Sequence, residues 1–173
     1  MFNSPELSTA RCLLKKYVEE DREEFADLFT DKEINRYMGG KVENREEAYA
    51  LFDKVFGIYK GVLMPRRFEI WAVRIGGGYA GHFELKQTDM TGEGELEIVY
   101  MLKKEHWGKG IMPEVICEIR RYASESGMML IATANPENEN SLRVLQKVGA
   151  EPGTAYRHED GDGLKIPLKP HKD

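Results

Sequence analysis

The chain has 173 residues, 41% hydrophobic and 32% charged, which fits a single domain over residues 1–173 whose core needs no disulfide or metal staple. Its net charge of −5 argues against a nucleic-acid phosphate backbone as the main partner. Its longest largely apolar run, Met128–Ala134, is far short of the ~18 residues that cross a bilayer.

Cys12 and Cys117 each stand alone in an apolar pattern and read as buried thiols of a reducing compartment. Residues 1–6 show no basic segment leading into an apolar one, so a cytoplasmic location is expected.

In chain order, Arg11–Tyr17 reads as a strand. Asp21 with Glu24 resembles a capping box for a helix carrying Phe25, Leu28 and Phe29. Asn44 and Glu47 open a second helix, with Ala48, Leu51, Phe52, Val55 and Tyr59 on one stripe. Phe68–Ile75 and Tyr79–Leu85 form a hairpin about Gly76-Gly77-Gly78. Glu93–Leu102 alternates as a strand, and Ile111, Val115, Ile116, Ile119 and Tyr122 mark a third helix. Met128–Ala134 is an apolar strand, and Leu142, Leu145 and Val148 lie on a last helix stopped at Gly149. The tail closes as a strand pair with Gly161 and Gly163 at its turn. One βαβ unit in such an order predicts an α/β (α+β) domain. Its mixed sheet has about seven strands flanked by about four helices and is not doubly wound.

The sharpest local signal is Trp107-Gly108-Lys109-Gly110-Ile111-Met112, between a strand and a helix. Glycines let backbone approach a ligand, and the first N–H groups of a helix favour an anion. Lys103, Lys104 and Lys109 add positive charge, which points to a phosphate or pyrophosphate. A glycine-rich connector with solvated lysines accounts for the same residues. The dinucleotide and P-loop fingerprints both fail, at Pro113 and Gly110 respectively. Glu95 and Glu97 share a strand face, where one serves as a general base or both are solvated charges. Asn138, three residues before Ser141, suits a helix N-cap. The four histidines have no metal-ligand spacing, so no metal is expected.

The segments Glu97–Leu102, Glu105–Gly110, Pro136-Glu137-Asn138 with Ser141, and Val144–Gly149 together resemble the GNAT acetyltransferase superfamily. The branch they resemble is that of the ribosomal-protein N-terminal (Rim-type) acetyltransferases. The likeness runs over roughly residues 8–168 and includes Arg36–Gly39, Trp71-Ala72-Val73 and Gly81-His82.

The resemblance implies an acetyl-CoA-dependent N-acetyltransferase acting on a primary amine in a ternary complex. The family's Gln/Arg-x-x-Gly-x-Gly/Ala motif falls on Trp107, Gly110 and Met112, and its acidic tyrosine on Leu145. Ser141 is then the substitute acid and Glu97 the base, because the family's other glutamate position holds Thr133. The coenzyme is expected along Tyr100, Met101 and Leu102, with the Met101 N–H as oxyanion donor. Its pyrophosphate is expected on Trp107, Gly108, Lys109, Gly110, Ile111 and Met112, with Asn138 and Ser141 nearby.

The acceptor is a protein N-terminus or a small amine, walled by the loops Ile34–Lys41, Lys60–Arg67 and Tyr156–Gly163. A silent acyl-CoA-binding module is the rival reading. Monomer and homodimer are equally compatible with the sequence, and neither nucleic acid nor membrane is an expected partner.

Overall fold

A computed structural model describes residues 4–40, 42–62, 66–158 and 161–169, with His158 and Gly161 given by backbone alone. The strands are β1 (Leu7–Ser8), β2 (Cys12–Lys15), β3 (Phe68–Ile75), β4 (Gly78–Lys86), β5 (Glu95–Leu102), β6 (Met129–Ala134), β7 (Thr154–His158) and β8 (Gly161–Leu168). The helices are α1 (Arg22–Thr30), α2 (Arg45–Tyr59), α3 (Ile111–Glu125) and α4 (Glu139–Lys147). The strands make one sheet in the order β1-β2-β3-β4-β5-β6-β8-β7. Only β5 and β6 run parallel, which is the βαβ unit expected from the sequence.

Among the described residues the sheet has eight strands, against about seven expected, the extra one being β1, a two-residue edge piece too short to leave a periodic signal. Gly161 opens β8 opposite His158, where the strand pair closes, and Gly163 lies inside β8, pairing with Tyr156. Residues 41, 63–65, 159 and 160 of the three expected acceptor loops lie outside the described residues.

Both faces of the sheet are covered. Trp71, Phe83, Leu96 and Ile98 pack against α3 and α4, whereas Ile70, Ala72, Tyr79 and Met101 pack against α1 and α2. On α3, Ile111, Val115, Ile116 and Ile119 are all buried along one stripe. Each such side chain contributes roughly 1.5–3 kcal/mol, so packing and not propensity holds this helix to the sheet.

Helix starts follow the local chemistry unevenly. Asn44 caps α2 by accepting from the Glu47 N–H at 2.9 Å, and the Glu47 carboxylate accepts from the Glu43 N–H at 2.9 Å. The expected Asp21–Glu24 box does not form. A 3₁₀ turn, Glu19–Asp21, precedes α1, and the buried Asp21 carboxylate accepts from the Val18 N–H and from Arg74. Glu24 reaches instead to Lys103, at 2.6 Å.

Candidate active site

The site begins where two strands part. β4 pairs with β5 from Lys86↔Glu97 through Gly81↔Leu102. β6 pairs with β5 only from Glu95↔Met129 to Ile98↔Ala132. Beyond Ile98, the β6-facing edge of β5 is open, so Val99–Leu102 border a gap that can take an extended chain by strand addition.

The direction of the peptide groups decides which residues serve that gap. Lys103 donates its N–H to the Ala80 carbonyl at 2.9 Å. By antiparallel alternation, Met101, paired with His82, also turns its N–H toward β4. The amides of Tyr100 and Leu102 therefore face the gap, and the expected Met101 donor is replaced by these two. The Leu102 carbonyl is already taken by Trp107 Nε1 at 2.9 Å.

At the open end lies the loop into α3. Gly108 and Gly110 have φ of 71° and 74°, a left-handed region that disfavours any Cβ. The N–H groups of His106 and Trp107 are used in a 3₁₀ turn, with acceptors Lys103 and Lys104. Those of Gly108, Lys109 and Gly110 take no backbone acceptor among the described residues. Ile111 and Met112 head the helix, where N–H groups lack intrahelical partners, and Pro113 has none to offer. Five consecutive amides without backbone acceptors thus stand at the positive end of a helix dipole. The side chains of Ile111 and Met112 are buried in the core, so both serve the loop by backbone alone. Trp107 is a partly buried bracket between loop and strand.

A clamp that sequence reasoning missed holds this loop. Arg11 donates from Nη1 to the Lys109 carbonyl at 2.9 Å and from Nε to Glu114 at 2.7 Å. Glu114 also accepts from the Arg11 N–H at 2.9 Å and from the Thr9 hydroxyl. Burial would raise the Glu114 carboxyl, but the hydrogen bonds from Thr9 and Arg11 outweigh it and hold it down. Of the three expected lysines, Lys103 is paired with Glu24, and Lys104 with Asp31 and Glu33. Lys109 is exposed and makes no ion pair among the described residues.

Of the two carboxylates considered, Glu97 is 6% exposed and makes no ion pair among the described residues. It accepts from the Thr88 hydroxyl at 2.6 Å and from the Thr133 hydroxyl. Glu95 is held below the usual carboxylate range by Lys165 at 2.7 Å and by the Gly92 N–H. Glu97 is therefore a buried carboxylate with lone pairs left over, not a solvated charge.

Ser141 donates its N–H to Asn138 Oδ1 at 3.1 Å, the expected cap. Its hydroxyl lies 2.8 Å from the Tyr100 phenol, joining α4 to β5. Burial pushes that phenol up to about 12, against the lowering pull of Ser141, so it keeps its proton at neutral pH. Leu145 is buried in the core and offers no acid.

The fold recurs in known proteins. A model of the acetyltransferase (GNAT) domain matches residues 11–151. The chain belongs to the GNAT acetyltransferase family. As a GNAT enzyme it is an N-acetyltransferase, and its sequence is similar to the uncharacterized N-acetyltransferase YoaA of Bacillus subtilis. The two share 29% identity over 153 residues, covering 84% of this chain and 82% of YoaA.

Among solved structures, a GNAT-family acetyltransferase from Bacillus anthracis superposes with a TM-score of 0.79 at 21% identity, covering 95% of this chain and 98% of its own. RimJ of Mycobacterium smegmatis, solved with CoA-disulfide, superposes at 0.78 with 14% identity, covering 95% of this chain and 87% of its own. At these identities the structural likeness carries the fold alone. Among the described residues no group of His, Cys, Asp and Glu is arranged to hold a metal, and no helix is long and apolar enough to cross a membrane.

Proposed function

We propose that this GNAT enzyme transfers an acetyl group from acetyl-CoA directly to a primary amine, with Glu97 as the base. The observation that carries the reading is the position of Glu97. It is buried on β5, two residues before the strand edge becomes free at Val99. The residues present fit the coenzyme: the free edge at Tyr100–Leu102 suits the pantetheine arm, and the amides of 108–112 suit the pyrophosphate.

An α-amine with a solution pKa of ~8, or a lysine amine of ~10.4, arrives mostly protonated at pH 7. Glu97, directly or through a water, takes that proton, and the freed nitrogen attacks the thioester carbonyl. The C–N bond forms and the C–S bond breaks, and the electron pair leaves on sulfur. The Tyr100 and Leu102 N–H groups stabilise charge on the carbonyl oxygen, an effect of about 3–4 kcal/mol per donor elsewhere. With the Tyr100 phenol donating to Ser141 Oγ, the serine hydroxyl is free to hydrogen-bond the departing thiolate, and the second proton of the acetylated nitrogen passes to that thiolate or to water. A protein N-terminus and a small amine both satisfy this chemistry.

Acetyl-CoA at a hundredfold excess over its Kd adds about 2.7 kcal/mol of stability. At ~2–4 °C per kcal/mol, the melting temperature rises by roughly 5–10 °C. NAD and ATP are expected to give much smaller shifts. Equal shifts from all three, or none from acetyl-CoA, would contradict the coenzyme assignment.

A further inference from the structure

We infer that the acceptor is a primary amine carrying one compact apolar group, seated in a cavity of about 230 Å³ between the sheet and helices α1 and α2. The inference rests on the reading of Glu97 as the base. Its walls are Phe25 and Phe29 of α1, Leu51, Val55 and Ile58 of α2, and Ile70 of β3. The cavity is walled by helices and sheet, and none of its lining residues belongs to the three loops expected to wall the acceptor.

Its place in the fold ties it to the reacting centre. The polar part of its lining is His82 and Glu84 of β4 together with Lys54 of α2. In the β4–β5 register His82 and Glu84 stand beside Met101 and Val99, within the stretch where β5 borders the gap. Glu97 is two residues before Val99 and on the same face. Neighbouring strands are ~4.8 Å apart and the gap lies on the far side of β5, so the floor on β4 is about two strand spacings from the gap. The floor is only about one spacing from Glu97's own strand, with Glu97 two residues out of register with Glu84. An amine at Glu97 reaches the cavity if its substituent crosses diagonally from Glu97 to the Glu84 end of the floor, on the same face of the adjoining strand.

The chemistry of the lining selects the substituent. His82 is saturated, with Nδ1 2.7 Å from the Tyr17 hydroxyl and Nε2 3.0 Å from Glu84 Oε1. The other Glu84 oxygen accepts from Lys86 at 2.7 Å. The Glu84 charge is already offset by Lys86, and the exposed Lys54 lines the cavity as well, which leaves little net attraction for a second cation. A polyamine or aminoglycoside would place desolvated charge in a mostly apolar cavity and beside a lysine. An apolar group loses nothing there and is removed from water. An apolar cavity of ~150 Å³ accepts benzene, so this one has room for a phenyl or branched aliphatic group.

A peptide with an apolar first residue and a free arylalkylamine present the same group, and one experiment separates them. The full chain is assayed with acetyl-CoA against peptides differing only in a first residue of Phe or Ser, phenethylamine, spermidine and kanamycin, reading thiol release. The expected result is a kcat/KM for the Phe peptide or phenethylamine about 10–100-fold above the Ser peptide and both polycations. The better of those two arms identifies the source. Leu51→Trp, which fills the cavity, is expected to raise KM for the apolar acceptor at least tenfold while leaving the Kd of acetyl-CoA unchanged. Leu51→Gln, close in volume but polar, is expected to act in the same direction and guards against misfolding of the first variant.

Polycations or the Ser peptide used as well as the apolar acceptors would overturn the inference. So would an apolar-acceptor KM that neither Leu51 variant moves, or acetyl-CoA binding with no turnover of either apolar amine. Failure of the wild type to bind acetyl-CoA at all would overturn the underlying reading, and this one with it.

Discussion

Thr133 is the first residue of β6 beyond its last pairing with β5, and its hydroxyl donates to the Glu97 carboxylate across the point where the strands part. With Thr88 on the other oxygen, the carboxylate is fixed from both sides. Hydrogen bonds to charged groups are worth ~1.5–3 kcal/mol. Thr133→Val is therefore expected to lower kcat roughly 10–100-fold with the Kd of acetyl-CoA unchanged, and Thr133→Ser to restore most of the rate. Steady-state kinetics with parallel calorimetry checks this. A coenzyme affinity that falls with the rate, or no rescue by serine, would show that Thr133 only holds the strands.

Arg11 acts at the other end of the site. By fixing the Lys109 carbonyl, it fixes the plane of the 109–110 peptide, whose N–H points the opposite way, away from the clamp. Arg11→Ala is expected to weaken acetyl-CoA binding about tenfold, since one charge-assisted bond of ~1.5 kcal/mol or more then no longer orients that amide. Binding of acetyl-pantetheine, which has no pyrophosphate, should not change. Thermal stability should fall little, because the Arg11 side chain is 47% exposed. Equal losses for both ligands would place Arg11 outside the anion site.

Glu84 predicts a pH dependence. Burial would raise this carboxyl, but the hydrogen bond from His82 and the charge of Lys86 hold it down at about 2. A carboxyl lowered in the folded state stabilises the fold above its unfolded value of ~4.3, and that contribution is lost as pH falls toward the folded value. Stability is thus expected to decline from about pH 5 downward, and Glu84→Gln to make the decline shallower while lowering stability at pH 7. Denaturant melts at a series of acid pH values test it. An unchanged slope in the variant would contradict the assignment.

What the sequence revealed and what it hid follow the range of the interactions. The caps at Asn44 and Asn138, the stripe of α3 and the alternation of β5 are written in neighbours a few residues apart, and the structure forms all of them. The Arg11–Lys109 bond spans 98 positions, Tyr17–His82 spans 65 and Thr133–Glu97 spans 36, so no local pattern announces them. Lys103 and Lys104 read as free charge because their partners, Glu24, Asp31 and Glu33, come from α1 and the turn after it. The resemblance implies that Met101 donates into the gap, yet which peptides face a neighbour depends on how the adjoining strand pairs, and β4 fixes that.

The most direct test of the account is Glu97→Gln, measured for coenzyme affinity and for rate across about pH 6 to 9 with an accepted amine. The substitution keeps shape and removes the proton acceptor. The Kd of acetyl-CoA should stay as in the wild type while kcat falls 10²–10⁴-fold, the usual range for general-base catalysis. That deficit should shrink as pH rises, because more of the amine then arrives already deprotonated. Wild-type rates over the whole range would contradict the account and remove Glu97 from the mechanism.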